Sequence, residues 1–245
     1  MTGGVTGGGR RDGADAGLRI DHVTVGPFEE NCYLIMDPAA GAAVLVDPGD
    51  EPGRIVEMAR RHGARPGAVW LTHAHLDHIG AISGVRRAWP DIPVFLHPLD
   101  EPVYAYGLQS AVEYGVPFEQ PEPADRRLAE GDVLQVGSFR FAVWHVPGHS
   151  PGHVAFVAPG IILGGDCLFA GSVGRTDLPL SDPSAFVGSL ERIVGLPPDS
   201  VVLPGHGPPT TVARELASNP FLTGVARVPG TARAMAPVSP RRQTG

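Results

Sequence analysis

Thr72-His73-Ala74-His75-Leu76-Asp77-His78 is the stretch on which the reading turns. It follows Ala68-Val69-Trp70-Leu71, a short apolar run with the β-branched and aromatic content of a buried strand. Side chains alternate along a strand, so a strand ending here releases His73 and His75 on one side. Asp77 and His78 then fall at the start of a following helix, where Gly80 permits close packing. Three imidazoles and a carboxylate so close together form a nitrogen and oxygen donor set that zinc, iron and manganese all accept. Without a cation, packing them side by side would leave buried polar groups that are hard to satisfy.

Three later segments repeat the idea. Trp144-His-Val-Pro-Gly-His places His149 after a strand and a Pro-Gly turn, Ile161-Ile-Leu-Gly-Gly-Asp places Asp166 after an apolar strand, and Val201-Val-Leu-Pro-Gly-His does the same for His206. Each run stops at Gly and a ligand-type residue emerges. Any one is a common turn; their order and shared strand-end position give weight to the set. Asp47, in Leu45-Val-Asp-Pro-Gly, reads either as a partner that orients an imidazole or as plain turn chemistry. His153 shares the loop of His149 and is a candidate neighbour of the site. Arg175 follows Gly171-Ser-Val-Gly and has two open readings: a clamp on a substrate carboxylate, or a partner of Asp177. His22, His62, His97 and His145 match no motif and read as structural or surface residues. Tyr104, Tyr106 and Tyr114 read as packing residues, with a substrate groove as the alternative.

Strand-like runs recur at Leu18–Val25, Cys32–Met36, Ala43–Val46, Ala68–Leu71, Val94–His97, Phe139–Val146, Val154–Val157, Ile161–Gly164 and Val201–Leu203. Helices are expected over Glu51–His62, Asp77–Trp89, Pro98–Tyr106, Pro183–Val194 and Thr211–Ser218, with Asp182 or Ser181 capping the fourth. Strands cluster with helices before and after, which fits two packed sheets with helices outside. Pro117–Arg127, rich in Pro and acids, is expected to be an exposed loop. The domain is expected to span residues 18–227, between Gly-rich and Pro/Arg-rich tails at 1–17 and 228–245 that are expected to be disordered.

The chain has 245 residues and a formal net charge of −7. It has no lysine and no long basic block, which argues against a nucleic-acid partner held by its phosphates. Cys32 and Cys167 lie in apolar segments and are expected to be buried free thiols. No apolar run reaches membrane-spanning length, and the first residues lack the hydrophobic centre of a secretory signal, so no membrane partner and a cytoplasmic location are expected.

The series His-x-His-x-Asp-His, Pro-Gly-His, Gly-Asp and Pro-Gly-His-Gly, with the early Asp47, resembles the signature of the metallo-β-lactamase superfamily. That resemblance runs from about Leu18 to Thr211. It implies a four-layer αββα sandwich, an α/β fold with the site at one edge between the sheets. It further implies two divalent metal ions, zinc first, with iron or manganese as alternatives. His73, His75 and His149 would hold one, Asp77, His78 and His206 the other, and Asp166 would bridge. Asp77 would also be catalytic, orienting a bridging hydroxide. Gly26-Pro-Phe, Asn31-Cys-Tyr-Leu-Ile, His149-Ser-Pro-Gly-His153 and the run from Gly165 to Pro179 resemble the glyoxalase II-like hydrolases. Glyoxalase II proper carries a further helical domain that contacts the thiol. Little foldable chain follows His206 here, which places the sequence nearer short single-domain relatives. The implied activity is hydrolysis of a small-molecule thioester, as in hydroxyacylglutathione hydrolase. The alternatives are an iron-dependent persulfide dioxygenase, a lactone or phosphoester hydrolase, or a metal-binding protein without catalysis. The oligomeric state is left open.

Overall fold

The computed structural model describes residues 17–231. Six strands form the first sheet in sequence order: β1 Arg19–Val25, β2 Glu30–Asp37, β3 Ala42–Val46, β4 Val69–Trp70, β5 Val94–Leu96 and β6 Arg126–Arg127. The second sheet contains β7 Val133–Val136, β8 Phe139–His145, β9 Val154–Ala158 and β10 Ile161–Gly165. A small hairpin, β11 Leu168–Phe169 and β12 Ser172–Val173, intervenes before β13 Val201–Pro204 and β14 Thr210–Thr211 complete the sheet in the order β14-β13-β10-β9-β8-β7.

Alternation along the strands builds three separate cores, and three cores require four layers. In β2, Cys32, Leu34 and Met36 face one way while Tyr33 and Ile35 face the other. β3 divides Ala43 and Leu45 from Val44 and Val46 in the same manner. The first set packs on helices α1 (Pro52–Arg61), α2 (Leu76–Ile79) and α3 (Ile82–Ala88) through Ile55, Met58, Ile79 and Ile82. The second set meets Phe141, Val143, Phe156 and Leu163 of the opposite sheet. The outer face of that sheet, with Ala155, Ile162 and Val202, packs on α6 (Pro183–Val194) and α7 (Val212–Ser218). This is the expected αββα sandwich.

Pro183–Val194 folds over the anticipated span, and Asp182 caps it, its carboxylate accepting the amides of Ser184 and Ala185. The helix expected over Asp77–Trp89 is instead two, α2 and α3. At the break, Ala81 donates its amide to Pro48 at 3.0 Å, leaving the helical ladder. Gly80 sits so close to Gly49 that a Cβ would strike the Gly49 carbonyl. Pro98–Tyr106 likewise divides into a 3-10 turn, Pro98–Asp100, and α4, Glu101–Ala105. α5, Gly107–Tyr114, was not anticipated, nor were β6, β7 and the short pairs β11, β12 and β14. Residues 117–125 lie outside helix and strand, as expected for a loop, but Arg126 and Arg127 pair with β5.

Order continues past the expected boundary at 227. Val228 is buried in the outer core and the Pro229 carbonyl accepts the Thr176 hydroxyl, because an apolar side chain there completes the α6 layer. Residues 1–16 and 232–245, which hold the rest of the two expected tails, lie outside the described residues. Cys32 and Cys167 are buried and free. No helix among the described residues is long and apolar enough to cross a membrane.

Phe156 is fully buried between the sheets, with its ring 5.3 Å from that of Trp70. Phe156→Ala is expected to cost about 3–5 kcal/mol of unfolding free energy, measured by denaturant titration. A loss below about 1 kcal/mol would mean the inter-sheet core is not packed as described.

Candidate metal centre

The topology gathers the candidate residues. β3, β4 and β5 run parallel, as do β10 and β13; β8 is antiparallel to β9 and so runs with β10. The carboxyl ends of β3, β4, β8, β10 and β13 therefore open at one edge of the sandwich. Asp47, the His73–His78 segment, His149, Asp166 and His206 follow those ends in turn. Backbone bonds lock the sheets together there, from Val154 N–H to Thr72 O and from Asn31 N–H to Gly205 O, each at 2.7 Å.

His75 Nδ1 lies 2.9 Å from His149 Nε2, and the ring of His73 sits 4.8 Å from each of theirs. Donor atoms of His73, His75 and His149 form one tight group, and those of Asp77, His78 and His206 form a second. Asp166 stands between them. Its Oδ2 is 3.5 Å from His149 Nε2 and 3.4 Å from His206 Nε2, and its Oδ1 is 3.5 Å from His78 Nε2. Asp77 Oδ2 reaches His206 Nε2 at 3.3 Å. All seven residues anticipated as ligands meet in one place.

The remaining ring nitrogens hold the imidazoles in position. His78 Nδ1 faces Asp47 Oδ2 at 3.1 Å, His149 Nδ1 the Arg175 carbonyl at 2.7 Å, and His206 Nδ1 the Phe28 carbonyl at 2.9 Å. With Nδ1–H donating outward, each neutral ring would present Nε2 inward as a lone pair. His73 Nδ1 meets the Thr72 hydroxyl at 3.1 Å. Asp47 also accepts the Thr72 amide and hydroxyl, at 2.7 and 2.6 Å, and adopts a left-handed backbone with φ 51°. Its two bonds on Thr72 and one on His78 sustain that strained conformation. His153 is fully buried and accepts the Asp166 amide at 3.1 Å through Nε2. Arg175 makes two bonds to Asp177, at 2.9 and 3.2 Å, so the pairing reading describes its state here. Gly205 has to be glycine, because a Cβ there would collide with Asp166.

His73 Nε2, His78 Nε2 and Asp166 Oδ1 are buried without a hydrogen-bond partner among the described residues. An unsatisfied buried polar atom costs about 1–3 kcal/mol, and three around one point are a severe penalty unless a cation satisfies them together. The donor set, nitrogen and oxygen without sulfur, fits a pair of divalent cations. Electrostatics agree. Burial opposes protonation of His206, yet hydrogen bonds to Asp166 and Asp77 outweigh it and push its pKa up to about 10. Burial and the neighbouring His149 take His75 down to about 3. Burial works to raise the Asp166 carboxyl, but His78 and His206 hold it well below the usual range.

Two buried carboxylates were missed by sequence reasoning. Glu30 has both oxygens unpartnered among the described residues, lies 3.9 Å from His78 Nδ1, and is pushed well up in pKa by burial. Asp100 accepts hydrogen bonds from Ala74, Ser150 and Gly152. Neither lies in a ligand motif, so only the fold brings them near. Of the motif-free histidines, His97 and His145 stack at 4.4 Å, and His62 pairs with Asp21 at 2.7 Å. All three lie outside the metal cluster.

Above the cluster lies a cavity of about 470 Å³ with His75, Asp77, His149, Asp166 and His206 in its lining. Its walls are largely apolar, formed by Phe28, Val103, Tyr106, Tyr114, Phe169 and Leu180 among others. Tyr106 and Tyr114 therefore do line a groove, whereas Tyr104 is buried in the helix-side core.

The profile of the metallo-beta-lactamase superfamily matches residues 25–206. The chain belongs to that superfamily, and its class is that of the metal-dependent hydrolases. It is 38% identical over 217 residues to the probable metallo-hydrolase YqgX of Bacillus subtilis, covering 84% of this chain and 99% of that protein. Hydroxyacylglutathione hydrolase GloC of Haemophilus influenzae is 32% identical over 209 residues, covering 84% and 98% respectively. The crystal structure of TTHA1623 in a di-iron-bound form aligns with a TM-score of 0.75 at 46% identity, covering 82% of this chain and 99% of that one.

With the pKa of His206 raised to about 10, a cation that takes its nitrogen near neutral pH is expected to displace a proton. Uptake of zinc is expected to release protons at about pH 7 and to weaken as pH falls from about 9 to about 6. Calorimetry in two buffers of different ionisation enthalpy measures this. Identical heats in both buffers would contradict it.

Proposed function

We propose that the protein hydrolyses the thioester of a small-molecule thiol, using a pair of divalent metal ions at this centre. The observation that carries the reading is the position of Asp166, between two imidazole groups and on the floor of an apolar cavity sized for a small molecule. His73, His75 and His149 would hold one ion, Asp77, His78 and His206 the other, with Asp166 shared. When bound, such a pair supplies hydroxide from water near neutral pH and polarises the carbonyl under attack.

The chain's own residues do the rest. Asp47 and the carbonyls of Arg175 and Phe28 hold the rings of His78, His149 and His206, so none of these three has to reorient during turnover. Asp77, half-buried at the cavity floor, would orient the attacking hydroxide by accepting a hydrogen bond from it. A carbon–oxygen bond forms, the carbon–sulfur bond breaks, and carboxylic acid and thiol leave. The apolar walls take the carbon part of the substrate and exclude bulk water. No protein nucleophile is needed. Cys167 beside Asp166 points into the outer core, and burial pushes its thiol well above the usual range.

Thioester cleavage is supported by the likeness to GloC, matched over 98% of its length and named as a hydroxyacylglutathione hydrolase. Glutathione is accordingly among the candidate thiols. Zinc is the metal this reading expects. Iron is the first alternative, because TTHA1623 at 46% identity carries two irons. The second reading is an iron-dependent persulfide dioxygenase, which the same ligand series would serve by holding iron. We place the partner among small molecules rather than nucleic acids or membranes, and the site of action in the cytoplasm.

Asp166→Ala is expected to lose metal and thioesterase activity together, by metal analysis and a thiol-release assay over several acyl thioesters. Full metal content with full turnover in that variant would overturn the mechanism. Oxygen uptake with a persulfide, without thiol release from any thioester, would give the second reading its place.

A further inference from the structure

Asp100 is a fully buried carboxylate at the end of the Pro98–Asp100 turn, remote in sequence from every ligand-bearing segment. Its Oδ2 accepts the Ala74 amide at 2.9 Å and the Ser150 hydroxyl at 2.7 Å, and its Oδ1 accepts the Gly152 amide at 2.5 Å. Ala74 is the residue between His73 and His75. Ser150 follows His149, and Gly152 lies two residues further on. A Cβ at Gly152 would sit 2.6 Å from the Asp100 amide nitrogen, so the close approach of the two segments depends on that glycine. One buried anion thus ties the loop that carries two imidazoles to the loop that carries the third. None of its hydrogen bonds goes to Asp166 or His206.

We propose that Asp100 is a positioning residue for the three-imidazole half of the centre, setting the spacing of His73, His75 and His149 before a cation arrives. A backbone amide held by a carboxylate is a charge-assisted bond, stronger and stiffer than one between neutral groups. Two of them, with the Ser150 hydroxyl as a third bond on the same side chain, leave neither loop free to swing. Their product is visible in the 2.9 Å approach of His75 Nδ1 and His149 Nε2, one from each tethered loop. Asp47 serves the other half in a different manner, by holding His78 directly. Asp47 also reaches His73 through the Thr72 hydroxyl, whereas the bonds of Asp100 go to the loops of the three-imidazole half alone.

The inference rests on reading the cluster as a two-cation centre, and the test separates the two. Metal-free protein is titrated with zinc, and the two equivalents are assigned with His149→Ala and His206→Ala, each lacking a donor of one group. Asp100→Asn keeps the shape but turns an amide donor towards a backbone N–H. It is expected to weaken the equivalent lost in His149→Ala by about ten- to a hundredfold, leaving the one lost in His206→Ala unchanged. Ser150→Ala removes one of the three bonds without disturbing the backbone. It should show a smaller loss of the same equivalent, and it carries the test if Asp100→Asn does not fold. Equal weakening of both equivalents, or no weakening in either variant, would overturn the proposal. A wild-type protein that binds no zinc, iron or manganese would overturn the metal reading beneath it as well.

Discussion

Four of the five ligand imidazoles at the sandwich edge have their outward nitrogen engaged by the protein, and that constraint shapes everything around them. Asp47, Thr72 and the carbonyls of Phe28 and Arg175 take the outward nitrogens, so the inward ones face each other and Asp166. Hydrogen-bonded in pairs, these rings would be ordinary buried histidines. Here the rings converge and leave His73 Nε2, His78 Nε2 and Asp166 Oδ1 without a partner among the described residues, a site whose polar atoms only a cation can satisfy together.

The fold exists, in this sense, to hold loops. Strands β3 and β4 of one sheet and β8, β10 and β13 of the other end at the same edge, and each releases a ligand segment there. The inter-sheet core of Trp70, Phe141 and Phe156 fixes the distance between the two sets of loops. Bonds across the edge, such as Val154 N–H to Thr72 O, remove the remaining freedom. A shift of one sheet against the other would separate His149 and Asp166 from His73 and His75.

Much of this was legible in the chain. The ligand residues stand in short motifs after apolar runs, so both the strands and the convergence could be read. Clustered strand-like runs fit two packed sheets, and the resemblance to the superfamily implied the sandwich itself. What could not be read lies in contacts between distant segments. Asp100 looks like a turn residue after Pro98, and nothing nearby tells of Ala74 or Gly152. Glu30 sits in a strand otherwise apolar, and only the fold shows its neighbour His78. The helix expected over Asp77–Trp89 failed for the same reason, since Pro48, not a local residue, claims the Ala81 amide. Arg175 offered two partners of equal merit to sequence reasoning, and geometry gave Asp177.

X-ray absorption of the purified, metal-loaded protein tests the central claim most directly, because it reports the donors themselves. The structure predicts a first shell of nitrogen and oxygen only, with imidazole nitrogens at about 2.0–2.1 Å from zinc and two ions per chain. Cys167 adjoins Asp166 in the chain, so a thiolate is the nearest rival donor. A sulfur shell at about 2.3 Å, or no retained ion of any kind, would contradict the account.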